Sequence, residues 1–298
     1  MKNLPKVLVF VSTYNGEQYL KVQLDSIIAQ KDVDVSILVS DDLSKDNTVK
    51  ILEEYAKEGK IKYRVNKTNK NFTYNFLDMI YENVDSDFDY FALADQDDFW
   101  LEDKLISGIQ KLQAENKHFY CSNLSVVDGN LSGAHPMNKF KIKNQRHTPY
   151  ILENICTGCT AIFDREFMKA LSKHYPNNIY LHDYWLMLVA VFVSNFVYDE
   201  TPHILYRQHG NNMIGSEKEG LSEYYKKFSS SKSHRHQLVE ELITGFKDDI
   251  SERDLKDLNA FLKYKKNFFT KFGIFFSPRW RCKNHPFLKK IKILFNKY

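Results

Sequence analysis

The chain has 298 residues, 43% of them hydrophobic and 27% charged, with a formal net charge of +4. This is enough apolar material for a sizeable core and excludes a globally disordered chain. Four scattered cysteines are too few for a disulfide scaffold and suit a reducing compartment.

In chain order, VLVFV (7–11) predicts a buried strand, and apolar residues at helical spacing follow over 17–30. SILVS (36–40) predicts a second strand, and 46–58 a charged amphipathic helix with Asp46 or Ser44 as its cap. IKYRV (61–65), a helix over 72–83, YFALA (90–94), a helix over 101–116 and HFYCSNL (118–124) continue the alternation. Alternating strands and helices with short connections imply an α/β fold with a doubly wound, mostly parallel sheet. After about 130 the rhythm changes. A polar stretch (128–150) reads as a loop, CTAIF (159–163) as a strand leading into a helix from about 165, 182–193 as a strongly apolar helix and 203–207 as a strand. From 217 onward the pattern is helical. The expected division is a catalytic core over 1–215 and a helical C-terminal region over 216–298.

The apolar run 7–11 is too short for a signal-peptide core, and the longest run, 184–193, is about half of a membrane span. The expectation is a cytoplasmic protein, soluble or peripheral.

In an open parallel sheet, ligands bind beyond the carboxyl ends of the strands. Here those ends carry Ser12-Thr13-Tyr14-Asn15, Asp41-Asp42 and Asp95-Gln96-Asp97-Asp98, so three strand ends place polar or acidic residues on one rim. Asp95 and Asp97 form a D-x-D pair whose carboxylates can face one hard cation, Mn²⁺ or Mg²⁺, completed by phosphate oxygens. The competing reading is that Asp97 or Asp98 begins the helix near Leu101. No G-x-G-x-x-G follows the first strand and no G-x-x-x-x-G-K-[ST] occurs, which disfavours a dinucleotide oxidoreductase and a P-loop NTPase. Cys156 and Cys159 form a lone C-x-x-C without a partner pair at zinc spacing, and read as small buried residues.

Four segments in order, VFVSTYNGEQYLKVQLDSIIAQ, ILVSDDLSKDNT, FALADQDDFWLEDKL and LHDYWLML, resemble the family 2 glycosyltransferases of GT-A fold over roughly residues 5–210. NKTNKNFTYNF, DQDDFW, TGCT, HDYW and YRQHGNN resemble its bacterial rhamnosyltransferase-like branch. The resemblance implies that Ser12, Thr13, Tyr14, Asp41 and Asp42 hold the nucleotide's base and ribose. It also implies that Asn71 and Asn75 line the donor site, although the family's usual glycine is absent from N-K-N-F. Asp95 would contact the sugar nucleotide and Asp97 the metal. Asp183 matches the catalytic base, the carboxylate that takes the acceptor hydroxyl's proton in an inverting transfer; its competing role is capping the 182–193 helix. His209 is a candidate further metal ligand or diphosphate contact, and Arg207 a phosphate partner. The Thr-Gly-Cys turn at 157–159 would border the acceptor site.

Residues 262–298 hold eleven Lys or Arg and no Asp or Glu, interleaved with aromatics. An anionic membrane surface, or packing on the core or on a second copy as a homo-oligomer, both fit this pattern, whereas nucleic acid lacks a recognition motif. The combined expectation is a metal-dependent inverting glycosyltransferase. It would move a sugar, dTDP-L-rhamnose being the best donor, from a nucleotide-diphospho-sugar to a lipid-linked or oligosaccharide acceptor, at the inner face of a bacterial plasma membrane. Alternatives are a UDP-hexose or UDP-N-acetylhexosamine donor, a nucleotidyltransferase, whose basic Gly-rich loop STYNGEQYL lacks, and a non-catalytic carbohydrate-binding module.

Overall fold

The computed structural model describes residues 4–138, 147–208 and 234–298. Contacts divide the chain into two units. The first comprises 1–139, 156–172 and 195–209; the second comprises 140–155, 173–194 and 210–298. The grouping follows contacts and not a single cut: the segments 140–155 and 173–194 belong with the C-terminal residues.

The first unit is built on β1 (Lys6–Thr13), β2 (Asp34–Asp41), β3 (Lys62–Val65) and β4 (Tyr90–Ala94), all parallel, in the order β4-β1-β2-β3. The apolar run 7–11 is buried throughout, as a central strand covered on both faces must be. Helices α1 (Leu20–Ile28), α2 (Thr48–Lys57), α3 (Asn71–Glu82) and α4 (Lys104–Glu115) make the crossovers. In α4, Gly108 lets the helix approach the sheet: a Cβ there would overlap Ile162 Cδ1. Asn116, in left-handed conformation at φ 50°, ends the helix.

Beyond β4 the sheet continues through β9 (Ile162–Asp164), β6 (Phe119–Ser122) and β10 (Phe196–Asp199). β9 runs antiparallel to both β4 and β6, so the sheet is mixed on this side. The strand expected over 118–124 breaks at Asn123, whose N–H donates to the Asp199 carbonyl and whose side chain turns back to Leu124 and Asn138. After the break, β7 (Ser125–Val127) joins a second sheet that the sequence pattern did not reveal. Its order is β5 (Phe99–Trp100), β11 (Ile204–Arg207), β7 and β8 (His135–Pro136). The strand expected at 159 begins only at Ile162, because Gly158–Thr160 forms a 3-10 turn. β9 then leads into α5 (Arg165–Leu171), capped by Asp164 through the Phe167 N–H.

The second unit centres on α6 (His182–Phe192), ten of whose eleven residues are buried. The Tyr184 hydroxyl donates to the carbonyls of Tyr150 and Ile151, both at 2.9 Å. C-terminal helices span His234–Phe246, Glu252–Lys263, Phe268–Phe276 and Pro286–Leu294. Buried Glu153 ties the 147–155 segment to them, accepting from the N–H groups of Lys283 and Asn284 and pairing with Lys289 at 2.9 Å.

His182 is 5% exposed, and burial pulls its pKa down to about 3. Between that value and about 6.5 the unfolded chain binds a proton that the native chain does not. The stability is therefore fully present above pH 6.5 and is lost as pH falls toward 3. Replacing His182 with Gln should flatten this limb. Denaturant unfolding should show the variant losing less stability than wild type between pH 7 and pH 4.5, by about 2 kcal/mol; an equal loss would contradict the assignment.

Candidate active site

The parallel register sets Thr13 beside Asp41, and Asp41 beside Val65. The Thr13 hydroxyl donates to Asp41 Oδ2 at 2.9 Å. The N–H and hydroxyl of Ser44 donate to Asp41 Oδ1 and Oδ2 at 2.9 and 2.5 Å. Asp41 is fully buried, and both of its oxygens accept from the protein. Asp42, also buried, accepts at Oδ1 from Asn66 Nδ2 and the Lys70 N–H, at 2.9 and 2.8 Å. Asn75, on α3, extends this network. Its amide donates to Ser12 Oγ and to the Ser40 carbonyl and accepts from Asn66, each at 2.8 Å. Asn71 does something else. At φ 62° its side chain accepts from the Thr73 and Tyr74 N–H groups and starts α3. Tyr14 is half exposed at the end of β1.

The turn after β4 is held by residues that spacing did not single out. Gln96 makes a two-bond clamp on Tyr14: its amide oxygen accepts from the Tyr14 N–H at 2.9 Å, and its nitrogen donates to the Tyr14 carbonyl at 3.1 Å. Gly16 makes room for that amide, since a Cβ at residue 16 would overlap its oxygen. Arg207, 4% exposed, grips the same turn: its Nε donates to the Asp97 carbonyl at 2.9 Å and its backbone N–H reaches Asp98 Oδ1 at 3.3 Å. The guanidinium also donates to the Gly129 carbonyl and sits 4.4 Å from the Tyr19 ring centroid. Nε and Nη1 are thus spent on carbonyls, which makes Arg207 a brace of the D-x-D turn whatever else it meets.

Asp98 departs from the expectation that it begins the next helix. β5 follows it at once, and α4 starts only at Lys104, after Asp103. Asp98 instead points inward and is wholly buried. Burial, then the charges of Asp95 and Asp97, raise its pKa well above the carboxylate range, which favours its protonated form. One oxygen of Asp98, Asp95 and the buried Cys159 thiol lie within 4.8 Å of one another. Burial holds Cys159 protonated as well. Behind them Lys104 lies over the Trp100 ring at 3.4 Å, and burial pulls its ammonium down to about 7, with Cys159 and Asp98 pulling the other way.

These environments sort the ligands for a divalent cation. A hard cation such as Mg²⁺ or Mn²⁺ prefers ionised oxygens and keeps water or phosphate in its shell. Asp98 is wholly buried and already accepts from the Arg207 N–H, and Cys159 offers a buried, soft sulfur, so they fit poorly. Asp95 and Asp97 are only half-buried and carry oxygen ligands at the rim, so they fit. His209 lies outside the described residues. Asp183 belongs to the second unit. It stands second in α6, after a Leu181 cap in extended conformation, and so is a first-turn carboxylate and not the cap.

A central parallel sheet with polar strand ends, an acidic turn after β4 and a mixed extension through β9 define a GT-A glycosyltransferase architecture. A family-model match to Glycosyl transferase family 2 spans residues 8–172, and the chain belongs to that family. The dTDP-rhamnosyl transferase RfbG of Shigella flexneri is 38% identical over 221 residues, covering 69% of this chain and 74% of that protein. The UDP-Glc:alpha-D-GlcNAc-diphosphoundecaprenol beta-1,3-glucosyltransferase WfgD of Escherichia coli is 26% identical over 191 residues, 63% of this chain and 71% of its own length. The mannosyltransferase PcManGT of Pyrobaculum calidifontis, solved with GDP-Man and Mn²⁺, superposes with a TM-score of 0.57 at 13% identity, covering 99% and 75% of the two chains. That likeness is one of fold. The chain is a nucleotide-sugar glycosyltransferase.

The Gln96 clamp makes Gly16 sensitive in a conditional way. Gly16→Ala should displace the Gln96 amide, break two hydrogen bonds and lower unfolding free energy by about 1–2 kcal/mol. In a Gln96→Ala background the three atoms nearest the added methyl are gone, and the same substitution should cost well under half as much. Denaturant unfolding of the four proteins of this cycle measures the coupling, and additive losses would contradict the clamp.

Proposed function

We propose that this chain transfers L-rhamnose from dTDP-L-rhamnose, with inversion, to a hydroxyl of a lipid-linked or oligosaccharide acceptor in cell-surface polysaccharide synthesis. The observation that carries the reading is the 38% identity to the Shigella dTDP-rhamnosyl transferase across a segment that includes the acidic turn after β4. The catalytic work is assigned to 1–215, with 216–298 as a basic, aromatic appendage at the inner face of a bacterial plasma membrane.

In this reading the donor's base and ribose lie against Ser12, Thr13, Tyr14 and Asp42. The exposed Tyr14 ring offers a packing surface, and Asp41 acts through the Ser44 turn that it shapes. Asn75 and Asn71 set α3 and its start beside that corner. Asp95 and Asp97 are the residues that would hold Mn²⁺ or Mg²⁺, with His209 a further candidate. When bound, the cation would neutralise charge on the diphosphate leaving group. The acceptor oxygen forms a bond to the anomeric carbon as the bond from that carbon to the diphosphate oxygen breaks. Asp183 takes the hydroxyl proton in the same event. Arg207 and Gln96 hold the turn carrying Asp95 and Asp97, so that the carboxylates need not reorganise.

A second donor class is favoured by one observation, the similarity to WfgD, whose name specifies UDP-Glc. A thermal-shift comparison of dTDP-L-rhamnose with UDP-hexoses, with and without Mn²⁺, separates the two. The proposal expects stabilisation by dTDP-L-rhamnose that requires the cation. Stabilisation without metal would overturn the D-x-D role, and preference for a UDP-sugar would select the second reading. In turnover assays Asp183→Asn should lower kcat by roughly 10²- to 10⁴-fold and Asp97→Ala should abolish metal-dependent donor binding. Unchanged turnover in either variant would sink the mechanism.

A further inference from the structure

The helix Phe268–Phe276, FFTKFGIFF, holds five phenylalanines and one isoleucine in nine positions, yet only Ile274 is buried. Phe268, Phe269 and Phe276 are 67%, 86% and 70% exposed. The rings form a continuous string: Phe269 to Phe268 at 6.0 Å between centroids, Phe268 to Phe272 at 4.4 Å, Phe272 to Phe276 at 6.0 Å and Phe276 to Phe275 at 4.9 Å. The helix Pro286–Leu294 packs beside this one, and Phe287 on it and Phe295 just after it are 69% and 65% exposed. Aromatic surface of this extent is costly to leave in water and marks a site of contact.

The surrounding charge says which kind. Among the described residues, Asp257 pairs with Arg279 and Glu153 with Lys289, and both acids come from outside this segment. Lys265 and Lys266 stand just before the ring-bearing helix and Lys271 lies on it; Lys289, Lys290 and Lys292 lie on the other helix, where Lys289 pairs with Glu153 and Lys290 donates to the Ser277 carbonyl. A second copy docked through a two-fold axis would set this cationic patch against itself, with no acid from 262–298 to offset the repulsion. An anionic lipid surface removes both costs at once: the rings enter the acyl boundary while lysines meet headgroup phosphates. Both helices are nine residues long, and none among the described residues is long and apolar enough to cross a membrane. The patch therefore suits lying in the interface.

We infer that the face formed by Phe268, Phe269, Phe276, Phe287 and Phe295 with the adjoining lysines docks the protein onto anionic phospholipid bilayers. The inference is independent of which sugar donor the active site takes. It gives physical means to the membrane location proposed above.

Co-sedimentation of the whole chain with extruded vesicles tests it. One set is phosphatidylcholine alone, and the other contains about 30% phosphatidylglycerol to supply surface charge. Wild type should partition onto the anionic vesicles and be released by raised salt. Phe269→Ser with Phe276→Ser should reduce the bound fraction at least about tenfold, and Lys266→Gln with Lys271→Gln should weaken binding to anionic vesicles without affecting neutral ones. Both pairs lie at the surface, and circular dichroism with nucleotide-sugar thermal shift checks that the fold and active site persist. Binding that is absent, equal on neutral and anionic vesicles, or unchanged in the phenylalanine variant would overturn the inference. So would a dimer in solution that the phenylalanine variant dissociates and the vesicles do not compete with.

Discussion

Five aspartates collect at the carboxyl ends of the two parallel strands that flank β1, Asp41 and Asp42 at the end of β2 and Asp95, Asp97 and Asp98 after β4. Like charges at that density must each find a separate answer, and the local structure is organised around those answers. Asp41 is tied to Thr13 and Ser44, and Asp42 to Asn66 and the Lys70 N–H. Asp98 is driven toward its protonated form by burial and by its two neighbours. Asp95 and Asp97 are left as the half-buried pair at the rim, where a cation and a diphosphate complete the charge balance in the proposed chemistry.

The same constraint accounts for the bracing around the turn. A segment carrying several carboxylates so close together tends to splay. Gln96 stitches it to β1 through both backbone groups of Tyr14, and Arg207 fixes it from β11 by donating to the Asp97 carbonyl. The second sheet positions that arginine: β11 pairs with β5 on one side and β7 on the other, which sets Arg207 opposite Val127. Arg207, a phosphate partner only in the proposed chemistry, is in the structure a strut held by carbonyls and by the Tyr19 ring.

Much of this was legible in the residue order. Uninterrupted apolar runs announced β1, β2 and β4, because a parallel strand covered on both faces needs them. The strand-end rule then put Ser12, Thr13, Asp41 and Asp95 on one rim. What stayed hidden was short or non-local. β5 has two residues and β8 two, too few for a period to show. β10 follows the long apolar helix with little polar punctuation between them. Gln96 and Gly16 carry no spacing signal, since their meaning lies in one side chain filling the space that the other leaves empty. Asp98 looked like a helix start because acids favour helix N-termini. The intervening β5 pulls it into the core instead. The exposure of the Phe268–Phe276 helix could not be read from composition, which left membrane and packing open.

The central claim is that the rim pair Asp95 and Asp97, and not the buried Asp98 and Cys159, receives the cation that carries a nucleotide diphosphate. Anomalous scattering at the manganese edge from crystals grown with dTDP and Mn²⁺ tests this most directly. The account predicts one strong peak within coordination distance of an Asp97 carboxylate oxygen and of the diphosphate. A peak seated on Cys159 and Asp98, or nucleotide bound with no metal at the rim, would contradict it.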